Sequence, residues 1–174
     1  MPRNIEIKAR VADLDRVRAL AGRLGARSHG VERQTDRYYV LDADRRVKLR
    51  VVHGERAELI EYRRPESRSV RASDYTVTAV RDEEAGLCLV PKGPPLVVVR
   101  KQREIMLWDN VRIHLDQVDG LGTFLELEAV VDARHDDAAC CAQVAALMRT
   151  LAIADTDLIR ASYAELLGSG TRDA

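Results

Sequence analysis

Apolar and polar residues alternate along most of this chain, which is the pattern of β-strands that turn one face toward a core. Turn-forming stretches such as Asp42-Ala43-Asp44 and Gly54-Glu55 separate the alternating segments. The pattern predicts a mainly β fold of the α+β class. Its antiparallel strands, about eight in number, are predicted over Asn4–Val11, Val31–Leu41, Arg46–His53, Ala57–Arg64, Tyr75–Val80, Leu96–Leu107, Val111–Val118 and Thr123–Val131.

Helices are predicted where the apolar period changes to 3.6 residues. Asp13 is the expected N-cap of the first helix, and Gly25 the residue that ends it. The helical stretches are Leu14–Leu24, Asp82–Leu89, Val144–Leu151 and Asp157–Leu167. Because no linker or repeat interrupts the chain, we expect a single domain over residues 1–174, with 168–174 as a frayed tail.

Several predicted strands carry charges at two-residue spacing, so each pair of charges lies on one face of its strand. One explanation is ordinary: the charged face is exposed to solvent. The other is that the strands close into one sheet whose interior gathers carboxylates for a metal and cations for a polyanion, which is the chemistry of phosphoryl transfer. The pairs are Glu6 and Lys8, Lys48 and Arg50, Lys101 and Arg103, and Glu126 and Glu128.

Mg²⁺ and Mn²⁺ bind hard oxygen ligands, and substrate phosphates and water complete their coordination. Glu6, Glu126 and Glu128, with Asp116 nearby, are the candidate metal ligands. His114 is predicted to be a hydrogen-bonding wall residue rather than a metal ligand or a general base.

The adjacent arginines at positions 63 and 64 lie on opposite faces of their strand, so only one of them can line an interior. Arg63, which shares a face with Glu61, is the residue we favour.

Composition narrows the function classes. The 174 residues are 46% hydrophobic, which is enough for a substantial core, and the formal net charge is zero. A neutral chain with only 4% aromatic residues does not indicate a nucleic-acid partner, and no apolar run is long enough for a membrane span. The three cysteines have no zinc-site spacing, so a cytoplasmic location is expected.

Seven short motifs in order give the chain a resemblance to the CYTH domain, or triphosphate tunnel metalloenzyme superfamily, and within it most to class IV adenylyl cyclases. The resemblance spans Asn4 to Leu167. The motifs start at Asn4-Ile5-Glu6-Ile7-Lys8, Gln34-Thr35-Asp36-Arg37-Tyr38, Val47-Lys48-Leu49-Arg50, Tyr62-Arg63-Arg64-Pro65, Val99-Arg100-Lys101-Gln102-Arg103, His114-Leu115-Asp116 and Ser162-Tyr163-Ala164-Glu165.

The resemblance implies an eight-stranded antiparallel closed tunnel with flanking helices, in which basic side chains bind a triphosphate and glutamates bind Mg²⁺ or Mn²⁺. It implies catalytic roles for Glu6, Glu126 and Lys101. The implied metal ligands are Glu6, Glu126 and Glu128, assisted by Asp116. The implied substrate-binding residues are Lys8, Lys48, Arg50, Arg63, Lys101, Arg103, Arg112 and His114.

The chain departs from the family pattern at one position: Asn4 stands where the family has the first glutamate of Glu-x-Glu-x-Lys. An amide oxygen carries no charge, which weakens the case for a second metal. Two reactions stay open, the cyclisation of ATP to cyclic AMP and pyrophosphate, and the hydrolysis of tripolyphosphate, thiamine triphosphate or a nucleoside triphosphate. A non-catalytic polyphosphate-binding module is the third alternative. A homodimer formed through an outer face is also expected.

Overall fold

The computed structural model describes residues 3–63 and 71–169, and for residues 63, 71–74 and 169 it describes only the backbone. Within these residues eight antiparallel strands make up most of the fold. They are β1 (Arg3–Arg10), β2 (Arg27–Val40), β3 (Arg45–Val52), β4 (Arg56–Arg63), β5 (Arg71–Val80), β6 (Val97–Trp108), β7 (Val111–Val118) and β8 (Gly122–Val130). The prediction of a mainly β, antiparallel fold is confirmed.

The strands form one curled sheet in the order β1-β5-β4-β3-β2-β6-β7-β8, and β1 joins its two edges. The two joins differ in length. β1 pairs with β8 from Asn4 to Arg10, but with β5 only from Arg3 to Glu6. The second half of β1 therefore has a strand partner on one side among the described residues, so the barrel closes along only part of its length.

Four helices flank the sheet in the described residues, namely α1 (Leu14–Arg23), α2 (Glu83–Leu89), α3 (Asp137–Thr150) and α4 (Tyr163–Ser169). Each of the first three begins after an aspartate whose side chain accepts a hydrogen bond from a backbone N–H in the first turn. These N-caps are Asp13, Asp82 and Asp136. No helix in the described part of the chain has the length and apolar character of a membrane span.

The predicted helix over Asp157–Leu167 is wrong in its first half. Asp155–Asp157 is a short 3-10 turn, and Leu158 forms an isolated bridge with Ala9 of β1. The helix starts at Tyr163, because the Ser162 hydroxyl accepts from the Glu165 N–H while the Glu165 carboxylate accepts from the Ser162 N–H. Of the expected frayed tail, residues 168 and 169 are helical, and 170–174 lie outside the described residues.

The largest hydrophobic core lies outside the barrel, between the sheet and the helices α1 and α3. Ile113, Leu125 and Leu127 are fully buried there against helix residues such as Val17 and Leu147. Because strand side chains alternate, the residues between these apolar ones point to the opposite face. The core therefore fixes which residues of β1, β7 and β8 face the barrel interior, and the charged residues of these strands are among them.

Candidate functional site

The strand register brings the charged residues of neighbouring strands together on the inner face of the barrel. Lys8 lies directly opposite Glu126, and Arg103 directly opposite Asp116. His114 is also opposite Glu126, on the other side of β8. Residues directly opposite in antiparallel strands share a face, so these side chains converge. The explanation that the charged faces are exposed to solvent does not hold on this face of the sheet, because Lys101, Arg103, His114 and Asp116 are buried.

Asp36 of β2 is the carboxylate that sequence reasoning missed. It is 1% exposed, and its two oxygens accept hydrogen bonds from Arg50 at 2.8 and 2.7 Å, while the Lys48 ammonium lies 3.6 Å away. Burial alone would raise the pKa of Asp36, but Arg50 and Lys48 outweigh it and hold that pKa well below its usual value. Two predicted phosphate-binding cations are thus paired with one internal anion.

Asp116 of β7 has a similar position between cations. Its oxygens accept from Arg103 at 2.7 and 2.5 Å, and the Lys101 ammonium lies 3.6 Å away. The hydroxyl of Tyr163 donates to it at 2.8 Å. Both oxygens of Asp116 therefore already accept hydrogen bonds. In this structure Asp116 pairs with Arg103 and Lys101 and has no oxygen left open for a metal.

Tyr163, the first residue of α4, reaches the inner face of the sheet and was also missed. Its ring lies 4.2 Å from the Lys8 ammonium, 5.1 Å from the Lys101 ammonium and 5.0 Å from the Phe124 ring. Phe124 belongs to the same face of β8 as Glu126. The ring therefore fills the barrel beside the cations and stabilises them through cation–π contacts.

The acidic cluster consists of His114, Glu126 and Glu128. One ligand atom from each of them lies within 4.8 Å of the others, which is a spacing that suits a single divalent cation. Glu126 is also paired with Lys8 at 3.0 Å and with Arg103. Burial alone would raise the pKa of Glu126, but Lys8 and Arg103 hold it well below its usual value.

His114 is 3% exposed, and its Nδ1 lies 3.7 Å from a Glu126 oxygen and 3.8 Å from a Glu128 oxygen. Both distances are longer than a hydrogen bond, and Nδ1 has no hydrogen-bond partner among the described residues. Burial and the nearby Arg103 lower the pKa of His114 below its usual value, which favours the neutral ring.

Glu6 lies directly opposite Glu128 but is not one of the three clustered residues. Burial, together with Glu128 and Glu126, raises the pKa of Glu6 to about 7. At neutral pH this carboxyl group is thus divided between its acid and its base form. Such a group suits proton transfer as well as metal binding.

Asn4 does not point to the acidic cluster. With the orientation of its amide that satisfies both atoms, the side-chain nitrogen donates to the Arg3 carbonyl, and the oxygen accepts from the Tyr75 hydroxyl at 3.2 Å and from Arg112 at 3.0 Å. Arg112 also binds Glu128 at 3.1 Å. The amide therefore holds an arginine in the place where the family pattern has a carboxylate.

Two lysines on the inner face have weakened basicity. Burial, followed by the charge of Arg103, lowers the pKa of Lys101 to about 7. Burial, followed by the charge of Arg50, lowers the pKa of Lys48 to about 8. A polyanion would favour the charged form of both lysines, so binding of such a ligand is expected to take up protons.

Arg63, the residue favoured for the interior, pairs with Arg45 in the strand register. Its side chain, and the whole of Arg64, lie outside the described residues, so its role in substrate binding stays a prediction.

The protein is thus an antiparallel β-barrel that has its largest hydrophobic core outside and charged residues inside, with cations beside an acidic cluster. The family comparison agrees with this description. The chain belongs to the CYTH family, because the family model described as the CYTH domain matches residues 2–163.

Known relatives extend this similarity over almost the whole chain. A protein of Methanocaldococcus jannaschii, provisionally named adenylate cyclase MJ0240, is 26% identical over 94% of this chain and 98% of its own. The PH1012 protein of Pyrococcus horikoshii has a similar fold, with a TM-score of 0.81 and 24% identity over 94% of this chain and 98% of that one. The Hippeastrum protein HpAC1, provisionally named an adenylyl cyclase and described as having a dominant triphosphatase activity, gives a TM-score of 0.67 and 15% identity over 98% of this chain and 96% of that one.

Proposed function

We propose that this protein is a metal-dependent enzyme that binds a triphosphate inside the barrel and, like class IV adenylyl cyclases, converts ATP to cyclic AMP and pyrophosphate. One observation carries the proposal: cations from several strands converge beside the cluster of His114, Glu126 and Glu128. Family membership supports it, since the CYTH model matches residues 2–163.

The cations of the interior would bind the phosphates by exchanging partners. In the structure they are paired with Asp36, Asp116 and Glu126, so each is already oriented by an internal anion. A triphosphate offers more negative charge than any one of these carboxylates and would share or replace them. The residues proposed for this role are Lys8, Lys48, Arg50, Lys101 and Arg103, with Arg112 and His114 on the wall beside them.

The acidic cluster fits a divalent cation, because two carboxylates and an unpaired buried nitrogen converge there. Glu126, Glu128 and His114 would hold Mg²⁺ or Mn²⁺, with Glu6 close to Glu128. A cation bound there would offset negative charge on the phosphate oxygens. Asp116 is proposed to position Arg103 and Lys101 instead of binding the metal.

In the cyclase reaction the 3′-oxygen of ATP bonds to the α-phosphorus while the bond from that phosphorus to the β-phosphate oxygen breaks, and pyrophosphate leaves. The 3′-hydroxyl proton needs an acceptor. Glu6, a carboxylate directly opposite Glu128 on the inner face, is the residue proposed for this role. Lys101 and Arg103 would offset the charge that develops on the transferring phosphoryl group.

Triphosphate hydrolysis is the second candidate. The fold similarity to HpAC1, which is described as having a dominant triphosphatase activity, favours it, as does the amide of Asn4 in place of a carboxylate. In that reaction water bonds to a terminal phosphorus while the bond from that phosphorus to the bridging oxygen breaks, so the diphosphate part leaves and the attacked phosphoryl group becomes orthophosphate. The same cations and the same acidic cluster would serve it.

Product analysis separates the two reactions. The protein, with Mg²⁺ or Mn²⁺, is offered ATP and tripolyphosphate separately, and cyclic AMP, pyrophosphate and orthophosphate are resolved. Cyclic AMP with an equal amount of pyrophosphate supports the cyclase. Orthophosphate from tripolyphosphate, without cyclic AMP from ATP, supports the triphosphatase. Binding of tripolyphosphate without any product would leave the binding module as the function.

A pair of matched variants ties the products to the site. Glu126→Gln is expected to abolish turnover with the fold intact, which circular dichroism checks. Glu104→Gln is the control, because Glu104 belongs to the same sheet but pairs with Arg18 of α1 on the outer face. Metal-dependent activity that survives Glu126→Gln would remove this carboxylate from the proposal.

A further inference from the structure

We propose that His114 binds the divalent cation directly through Nδ1, and that this nitrogen makes the site select Mn²⁺ over Mg²⁺. The proposal rests on the metal dependence proposed above and adds to it the identity of one ligand and the choice of metal. His114 thereby departs from the wall role expected for it from sequence alone.

The first step is the geometry of three donors on two adjacent strands. His114 of β7 lies directly opposite Glu126 of β8, and Glu128 follows two residues later on the same face. The three ligand atoms lie within 4.8 Å of one another. Nothing has to move far for one ion to contact all three.

The second step is the unpaired nitrogen. His114 is 3% exposed, yet Nδ1 has no hydrogen-bond partner among the described residues. A buried polar atom without a partner is costly, and native structures usually supply one. As an acceptor, Nδ1 faces the oxygens of Glu126 and Glu128, which cannot donate to it when they are ionised. A cation between them gives Nδ1 a partner and contacts both carboxylates, and the Glu126 oxygen would share it with Arg103 or exchange Arg103 for it.

The third step is the competition for the nearby donors. Arg112, which lies directly opposite Glu128 on the neighbouring strand, is paired with a Glu128 oxygen at 3.1 Å and with the Asn4 amide oxygen at 3.0 Å. Arg103 is occupied by Asp116 and Glu126. Neither arginine is paired with Nδ1, and the other oxygen of Glu128 faces His114.

The fourth step is the choice of metal. Mg²⁺ requires near-octahedral oxygen ligands, whereas Mn²⁺ takes the same carboxylate and water ligands but, as a transition metal, gains more affinity from one nitrogen donor than Mg²⁺ does. The residue that could have supplied one more oxygen with a charge is Asn4, whose amide holds Arg112 instead. With a nitrogen and two carboxylates as the protein ligands, the site therefore favours Mn²⁺.

Electron paramagnetic resonance of Mn²⁺ tests the ligand without any reliance on activity. Free Mn²⁺ gives a sharp signal that disappears on binding, so a titration yields the affinity, and added Mg²⁺ yields the competition. Pulsed experiments then detect ¹⁴N that is bonded to the manganese. We expect ¹⁴N coupling in the unaltered protein and its replacement by a ¹⁵N pattern when the histidines are labelled with ¹⁵N.

Two variants assign the coupling to one histidine. His114→Gln is expected to lose it and to weaken Mn²⁺ binding at least tenfold, while the affinity for Mg²⁺ changes less than about twofold. His135→Gln is the matched control, because His135 also lies between two carboxylates, 3.0 Å from Asp132 and 3.3 Å from Asp109, but outside the barrel interior. It should keep both the coupling and the affinity.

The outcomes separate this proposal from the proposed function. Mn²⁺ that binds without nitrogen coupling, coupling that survives His114→Gln, or equal loss of Mg²⁺ and Mn²⁺ affinity overturns the role of His114 and leaves a metal-dependent enzyme in place. No Mn²⁺ binding at all, with or without tripolyphosphate, overturns both. If His114→Gln does not fold, the ¹⁵N labelling of the unaltered protein decides whether a histidine is bound, and the spectra of His29→Gln, His53→Gln and His135→Gln, which cover the other histidines of the chain, decide whether it is one of those.

Discussion

Asp36→Asn removes the anion that is paired with two interior cations. The substitution should lower the stability of the fold and tighten the binding of a triphosphate. The substitution keeps the size of the side chain and one acceptor oxygen. It leaves Arg50 and Lys48 without the charge that they now face at 2.7 and 3.6 Å. Both effects come from the same change, so one variant tests two parts of the reasoning.

The magnitude follows from burial. Breaking a buried ion pair by removing one partner costs about 3–5 kcal/mol. Since the side chains of Arg50 and Lys48 keep 13% and 18% of their exposure, the lower end applies. A loss of about 3 kcal/mol corresponds to a fall in Tm of about 6–12 °C for a chain of this size. Removing one negative charge about 6 Å from a bound phosphate is worth about 2–3 kcal/mol at an effective dielectric constant of 20, enough for at least tenfold tighter binding.

Thermal unfolding with and without tripolyphosphate measures both quantities. Asp42→Asn is the control, because Asp42 pairs with Arg45 at the surface, where an ion pair contributes about 0–1 kcal/mol. An Asp36→Asn protein with the Tm of the control would show that the buried pairs do not stabilise the fold. Weaker binding of tripolyphosphate would show that Lys48 and Arg50 do not meet the phosphates.

Three further outcomes are expected. Between pH 7 and pH 8 the affinity of the unaltered protein for tripolyphosphate should fall about fivefold more than that of Lys101→Arg. The reason is that the pKa of Lys101 is lowered to about 7 and only the protonated lysine binds well, whereas arginine stays charged; calorimetry at both pH values measures the ratio. Gly86→Ala should lower the free energy of unfolding by about 1–3 kcal/mol in urea, because a Cβ at this α2 position would come within 2.4 Å of the Leu49 side chain; equal stability would show that Leu49 moves aside. Tyr163→Phe should cost about 1–3 kcal/mol by leaving a buried Asp116 oxygen with one donor fewer, and an unchanged urea midpoint would contradict that bond.

Alternation of apolar and polar residues was sufficient to predict most of the strands, because strands such as β1, β3, β7 and β8 have one face against an outer core. The failures lie where that alternation is absent. β2 begins at Arg27, four residues before its predicted start, and passes through an irregular register at Gly30. Trp108, one residue beyond the predicted strand Leu96–Leu107, is the last residue of β6, and its indole N–H donates to the Leu24 carbonyl at the C-cap of helix α1. Contacts with distant residues determine both ends.

Part of the site was within reach of sequence reasoning and part was not. Counting outward from the Asp42-Ala43-Asp44 turn along both strands of the hairpin places Asp36 opposite Arg50. This pair was therefore predictable from the local sequence. Lys8 and Glu126 are far apart in the chain, and they meet because β1 closes the barrel against β8. Tyr163 reaches the interior from a helix, where strand alternation gives no information about it.

The position of the hydrophobic core outside the barrel has an evolutionary consequence. Along β7 the residues Val111, Ile113 and Leu115 belong to the core, while Arg112, His114 and Asp116 belong to the interior. Selection for core packing and selection for interior charge therefore act on alternate codons of the same short segment. In a saturation library of this strand, apolar requirements and charge requirements should alternate with a period of two residues. A lineage can thus exchange one balanced set of interior charges for another, and with it one substrate for another, while leaving the outer core untouched.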